Sequence, residues 1–229
     1  MILRPPNNTQ GQAEKNIVIL ISGRGSNMEV FLDASDQGRL AGRIAKVISN
    51  RPEALGIATA QKRGVPTAVI DHQKFDTRES FDAALADEVA ACSPSVVVLA
   101  GFMRILTPVF IERFLGQLVN IHPSLLPKYP GLHTHQRAIE AGDAEAGATV
   151  HYVTNELDGG PAILQARVPI HANDDAQALA SRVLQVEHVI FPEAVNWHLE
   201  ERAVHTNQGA YLDGELLPPH GALWDPSND

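Results

Sequence analysis

Two kinds of hydrophobic pattern divide the chain near residue 147. Before it, short runs that are apolar at nearly every position alternate with stretches of helical period. Asn16-Ile-Val-Ile-Leu-Ile21 is an unbroken aliphatic run, the pattern of a strand buried on both faces of a parallel sheet. Ile44 to Ser49, Thr67 to Ile70, Ser95 to Ala100 and the run ending in Leu118-Val119 predict further strands. Helices are predicted between them at Met28 to Asp36, about Glu53 to Arg63, and Arg78 to Ala91. This rhythm predicts an α/β fold with a doubly wound, mainly parallel (Rossmann-like) sheet, whose ligands bind beyond the carboxyl ends of the strands. Three polar turns follow predicted strands, at Ser22 to Asn27, Gly101 to Leu106 and Asn120 to Pro123, and are expected to share one crevice.

After Gly147 the pattern becomes alternation. Thr149 to Val153 and Ile163 to Val168 predict an antiparallel pair, with Glu156-Leu-Asp-Gly-Gly160 in the wide turn between them. Asp174 to Glu200 is the longest helical stretch, opened by the capping-box-like Asp174-Asp-Ala-Gln177 and striped by Leu179, Val183, Ile190, Ala194 and Trp197. Pro192 is expected to kink or divide that helix. Ala203 to Trp224 carries short β-like segments around Leu212 to Leu216. No linker or internal repeat interrupts the pattern, so a single domain is expected over 16–221, between a loose, disordered N-terminal tail at 1–15 and a C-terminal tail at 222–229.

Composition narrows the function classes. Hydrophobic residues at 44% and charged residues at 20% suit a globular chain with a substantial core. The net charge of −9 argues against a general nucleic-acid or membrane-surface binder. An anionic ligand would therefore need a local pocket of donors. The single cysteine, Cys92, excludes an internal disulfide and fits a reducing compartment, with the cytoplasm as the default. Cys92 has no basic neighbour in sequence and reads as a packing residue. The first fifteen residues carry no apolar segment, so they suggest neither a signal peptide nor a membrane span.

Candidate chemistry gathers at Asn120-Ile-His122-Pro-Ser-Leu-Leu-Pro-Lys-Tyr-Pro-Gly-Leu-His-Thr-His135. Asn120 and His122 lie two apart at a strand end, so the amide and the imidazole face the same side. Pro123, Pro127 and Pro130 keep the following loop from becoming a helix. Gly23-x-Gly25-Ser26-Asn27 lacks the lysine of a P-loop and the third glycine of a dinucleotide fingerprint. It suits either a monophosphate held by backbone N–H groups at a helix start or simply a tight turn with a cap. Asp158, in a glycine turn, gains meaning only beside His122, where a carboxylate favours the imidazolium. Glu187 falls on the apolar stripe of the long helix, so either an arginine or lysine pairs with it or it accepts from ligand hydroxyls or amines. Arg78 and Arg104 bind a carboxylated ligand only if they line the crevice. The histidines, among them His133, His135 and His151, form no zinc-binding spacing, and no metal is expected.

Taken together, Ile-Ser-Gly-Arg-Gly-Ser-Asn27, Val-Leu-Ala-Gly-Phe-Met-Arg-Ile-Leu106, the Asn120 to His135 run and Glu-Leu-Asp-Gly-Gly160 resemble the phosphoribosylglycinamide formyltransferases, a folate-dependent family, from about Asn16 to Gly221. Asn155 stands where that family commonly has an acid. The resemblance implies transfer of a formyl group from 10-formyltetrahydrofolate, as co-substrate, to the amine of glycinamide ribonucleotide in purine biosynthesis, without a metal. It implies a catalytic group of Asn120, His122 and Asp158, and a ribonucleotide site of Gly25, Ser26, Asn27 and Glu187. The folate site would comprise Arg78, Met103, Arg104, Ile105, Leu106, Asn120, Thr154, Asn155, Glu156, Leu157 and Asp158. The implied partners are small molecules, with no nucleic acid or membrane, in a monomer or homodimer.

Three rival readings remain at this point. A formyltetrahydrofolate hydrolase would release formate without an acceptor, and a methionyl-tRNA formylase would call for a basic surface. A phosphate-binding module on the same fold would leave Asn120, His122 and Asp158 without a task.

Overall fold

The computed structural model describes residues 14–226, so most of the segment read as an N-terminal tail lies outside the described residues. Along the chain run β1 (Asn16–Ile21), α1 (Ser26–Asp36), β2 (Arg43–Ser49), α2 (Leu55–Lys62), β3 (Thr67–Val69), α3 (Arg78–Ala90), β4 (Pro94–Leu99), the short α4 (Pro108–Ile111) and β5 (Leu118–His122). There follow α5 (Thr134–Glu140), β6 (Glu145–Tyr152), β7 (Ala162–Pro169), α6 (Ala176–Leu199), β8 (Ala203–Thr206), β9 (Gly209–Leu212), β10 (Glu215–Leu216) and β11 (Ala222–Leu223). The main sheet is 8-stranded, in the order β11-β7-β6-β5-β4-β1-β2-β3, and β8 to β10 form a separate antiparallel sheet.

β1 to β5 are parallel, and the chain moves outward from β1 in both directions, so the crevice beyond β1 and β4 is the topological switch point. Ser22 ties its walls together. Its N–H donates to the Gly101 carbonyl at 3.2 Å, its hydroxyl to Asn50 at 2.6 Å, and the Met103 N–H donates back to that hydroxyl at 2.8 Å. Two of the polar turns foreseen from the sequence, after β1 and after β4, thus meet as expected.

The unbroken apolar runs follow from two cores. Ile17, Ile19 and Ile21 of β1 pack with α1 and α6, through Met28, Phe31, Leu179, Ile190 and Phe191. Val18 and Leu20 face the other way, onto Phe81 and Leu85 of α3 and Phe110 of α4. β6 behaves differently. Its Ala146, Ala148, Val150 and Tyr152 join the α6 core, which turns Thr149 and His151 to the opposite face.

The long helix differs from the sequence reading at its start and runs on through its proline. Asp175, not Asp174, is the N-cap and accepts from the Ala178 N–H, while Asp174 holds Arg182 in a two-pronged pair at 2.6 and 2.9 Å. Pro192 does not divide α6. The flanking Ile190, Phe191, Ala194 and Val195 are fully buried, and their packing on the sheet outweighs the backbone hydrogen bond a proline forgoes. At the other end, Ala222–Leu223 pairs in parallel with Leu164 and Gln165, so this part of the expected C-terminal tail extends the main sheet. Among the described residues no helix is long and apolar enough to cross a membrane.

Candidate active site

The polar residues of β5, β6 and β7 form rows across one face of the sheet. Asn120 is in register with His151, while His122 is in register with Thr149 and Thr149 with Gln165. Residues in register point to the same face, opposite the α6 core. That face is covered by the loop after β5. The Thr149 hydroxyl donates to the Ser124 carbonyl at 2.7 Å and accepts from the Leu126 N–H at 3.1 Å, and the Gln165 amide donates to the Leu126 carbonyl at 3.1 Å. Thr149 and Gln165 are buried, so these bonds satisfy groups that would otherwise cost about 1–3 kcal/mol each to bury unpaired.

Asn120 and His122 sit within the last residues of β5 rather than in a turn beyond it. The Asn120 amide donates to His151 Nε2 at 3.2 Å, while His151 Nδ1 donates to the Tyr152 carbonyl at 2.9 Å. Burial pushes the His151 imidazole below its ordinary pKa, which favours the neutral ring with its lone pair on Nε2. A neutral acceptor there orients the amide with its NH2 towards His151, leaving the second N–H for another partner.

His122 is buried, and its Nε2 donates to the Tyr129 carbonyl at 2.9 Å. Its Nδ1 lies 3.5 Å from the Asp158 carboxylate. Asp158 reaches it by an indirect route. β6 runs antiparallel to β5, so the turn 153–161 departs near Val119 and must fold back to approach His122. Gly160 permits this, because a Cβ there would stand 1.8 Å from the Tyr152 carbonyl oxygen. Asp158 takes a left-handed conformation (φ 52°) and accepts from the Gly131 N–H at 2.8 Å. Its other oxygen is 4.0 Å from His151 Nε2.

The glycine turn ends in Gly25, whose φ of 79° lies where a side chain is strained, and which opens α1 without a side-chain cap. The first N–H groups of α1 thus face the crevice end of β1 as donors suited to an anion. Asn27 donates to Glu187 at 2.8 Å, so the partner of this buried acid is a neutral amide, not an arginine or lysine. Burial raises the Glu187 pKa, and the Asn27 hydrogen bond offsets only part of that rise. The other side-chain atom of that amide, Asn27 Oδ1, is buried without a hydrogen-bond partner.

In the segment after β4, Met103 and Ile105 are exposed while Leu106 is buried in the α3 core. The Arg104 guanidinium lies 4.8 Å from the Phe81 ring centroid, and Arg78 donates to the Ile105 carbonyl. In the β6–β7 turn the Glu156 N–H approaches the Thr154 hydroxyl at 3.4 Å, and Asn155, Glu156 and Leu157 are exposed. His151, Thr149 and Gln165 were absent from the sequence-based site. Their signal was the polar half of the alternation in β6 and β7, which identifies a polar face but not what it meets.

A family model described as "Formyl transferase" matches residues 15–195. The chain is 48% identical to phosphoribosylglycinamide formyltransferase of Escherichia coli (strain K12), over 92% of this chain and 99% of that protein. It is 45% identical to the Haemophilus influenzae enzyme of the same name, over 90% of this chain and 98% of that one. The solved structure of the phosphoribosylglycinamide formyltransferase from Coxiella burnetii superposes with a TM-score of 0.88 at 43% identity, covering 93% of this chain and 100% of that chain. On this family match, these identities over nearly the full length of both chains and this superposition, the chain belongs to the phosphoribosylglycinamide formyltransferase family of formyl transferases.

Proposed function

We propose that this enzyme transfers the formyl group of 10-formyltetrahydrofolate to the amine of glycinamide ribonucleotide, giving formylglycinamide ribonucleotide and tetrahydrofolate in purine biosynthesis. The observation that carries the reading is the placing of Asn120 and His122 on one polar face of β5, with Asp158 folded back to 3.5 Å from His122 Nδ1. The amine nitrogen attacks the formyl carbon, and a tetrahedral centre forms with negative charge on its oxygen. The free N–H of Asn120 is a donor suited to that oxygen, and His122 can add a second only through Nδ1, which at 3.5 Å from Asp158 is not held in a hydrogen bond, because Nε2 is taken by the Tyr129 carbonyl. The Asp158 carboxylate lies on the Nδ1 side of the ring, where it can take up or return a proton. Collapse breaks the bond from the formyl carbon to the folate nitrogen. The proton lost by the amine passes to that leaving nitrogen with help from His122 and Asp158. The amine is the nucleophile, so no serine or cysteine intermediate is needed.

The ribonucleotide phosphate suits the N-terminus of α1 at Gly25, Ser26 and Asn27, where backbone donors and the helix dipole favour an anion. Glu187 would accept from its hydroxyls or amine, with Asn27 holding the carboxylate in place. The folate would take Arg78, the Met103 to Leu106 segment and the Thr154 to Asp158 turn, where Met103, Ile105 and Leu157 offer exposed apolar surface to a ring system. Following folate absorbance with 10-formyltetrahydrofolate, with and without glycinamide ribonucleotide, tests the proposal. Turnover is expected only with the acceptor; formate release at the same rate without it would indicate a hydrolase instead.

A further inference from the structure

Both His122 and Asp158 are fastened by the backbone of one short loop. The Tyr129 carbonyl receives the His122 Nε2–H at 2.9 Å, and the Gly131 N–H donates to Asp158 at 2.8 Å. That loop is not relaxed chain, since Tyr129 and His133 both adopt left-handed backbone, at φ 57° and 58°, which side-chain-bearing residues seldom do. Something must hold it. The Tyr129 hydroxyl donates to Asp143 at 2.9 Å, and the Lys128 ammonium donates to both oxygens of the same carboxylate at 2.9 and 3.0 Å. Arg137 lies 5.1 Å from the Tyr129 ring centroid and donates to the Pro130 carbonyl at 2.7 Å. Asp143 is itself fixed just before β6, its N–H bonded to the Ala138 carbonyl at 3.2 Å.

We propose that Asp143 is a positioning residue for formyl transfer: through the Tyr129 hydroxyl it holds the backbone that aims His122 and Asp158. This rests on the function proposed above. Lys128 holds the Asp143 carboxyl below its ordinary range, and Asp143 in turn pushes the Tyr129 phenol up, so acceptor and donor both persist at neutral pH. The link that matters is the hydroxyl–carboxylate bond rather than the ion pair, because only Tyr129 presents its carbonyl to His122.

The test compares Asp143→Ala, Asp143→Asn, Tyr129→Phe and Lys128→Met by steady-state kinetics and by the ring 15N resonances of His122, assigned by their loss in His122→Gln. Asp143→Ala and Tyr129→Phe are expected to lower kcat about 10-fold or more with both KM values within about twofold, as misaimed catalytic groups do. Their His122 resonances should shift as Nε2 loses its fixed acceptor. Asp143→Asn keeps an acceptor for the hydroxyl and should recover most of kcat, while Lys128→Met should stay within about twofold of wild type. Unchanged His122 resonances and kcat in Tyr129→Phe, with only a lower melting temperature, would overturn the proposal, as would a Lys128→Met loss equal to that of Asp143→Ala. If the wild type fails to formylate glycinamide ribonucleotide, the His122 resonances still decide the positioning role, because they are read without substrate.

Discussion

The two halves of the main sheet use their faces differently. In the parallel half, β1 and β4 are apolar on both faces, because α1 and α6 cover one side and α3 and α4 the other. Candidate binding groups there are confined to where the strands stop, in the turns around Ser22 to Asn27 and Gly101 to Leu106. In the other half, the antiparallel half, where β5 meets the antiparallel β6 and β7, only one face is apolar. The other presents Asn120, His122, Thr149, His151 and Gln165 across three strands, roofed by a loop instead of a helix. Backbone amides at a helix start suit binding, whereas side chains ranked on a rigid sheet suit transition-state contacts that tolerate little displacement.

The comparison predicts that the largest losses come from the antiparallel half and fall on the chemical step. Asp158→Asn and His122→Ala should each slow single-turnover formyl transfer by a factor on the order of 10² or more, with acceptor affinity little changed. Because the two act as a unit, the double variant should lose much less than the product of the single losses. Multiplicative losses would mean that Asp158 acts apart from His122.

His151→Phe should cost less, about 10-fold in kcat, since it removes the acceptor that orients Asn120 rather than a group at the reacting carbon. A loss as large as that of Asn120→Ala would assign His151 a direct role in the same assay. The parallel half should answer in binding instead. Gly25→Val strains a left-handed position and crowds Met28, so calorimetry should record at least about 10-fold weaker acceptor binding with folate binding nearly intact. Equal weakening for both ligands would erase the functional division between the halves.

The smallest effect concerns Glu187. Its pKa is raised by burial, so the folded protein holds this proton more tightly than the unfolded chain. The contribution is therefore fully present below the unfolded carboxylate value and is lost as pH rises through the folded one. Glu187→Gln keeps an acceptor for Asn27 and should raise the melting temperature at neutral pH, by an amount that shrinks as the medium is acidified. It should also weaken the ribonucleotide complex, which marks the acid as retained for binding at the expense of stability. A variant less stable than wild type at every pH would contradict that balance.

Much of this was legible in the residues themselves. An apolar run without polar interruption has only one economical place, between two helical layers, so β1, β4 and the doubly wound order followed from pattern alone. The motif residues Asn120, His122 and Asp158 were likewise readable one by one. What the one-dimensional pattern could not convey was contact between distant segments. The neutral partner of Glu187 is 160 positions away on α1, and His151 meets Asn120 only through the antiparallel register. The undivided α6 shows the same limit, because proline's local preference was overridden by burial against the sheet. Local propensity and periodicity are set by neighbours in sequence and so determined the elements and the residue types offered for chemistry. Register, the fold-back of the turn to Asp158 and the pairing of buried polar groups depend on segments brought together by the whole sheet, and only the tertiary structure decided them.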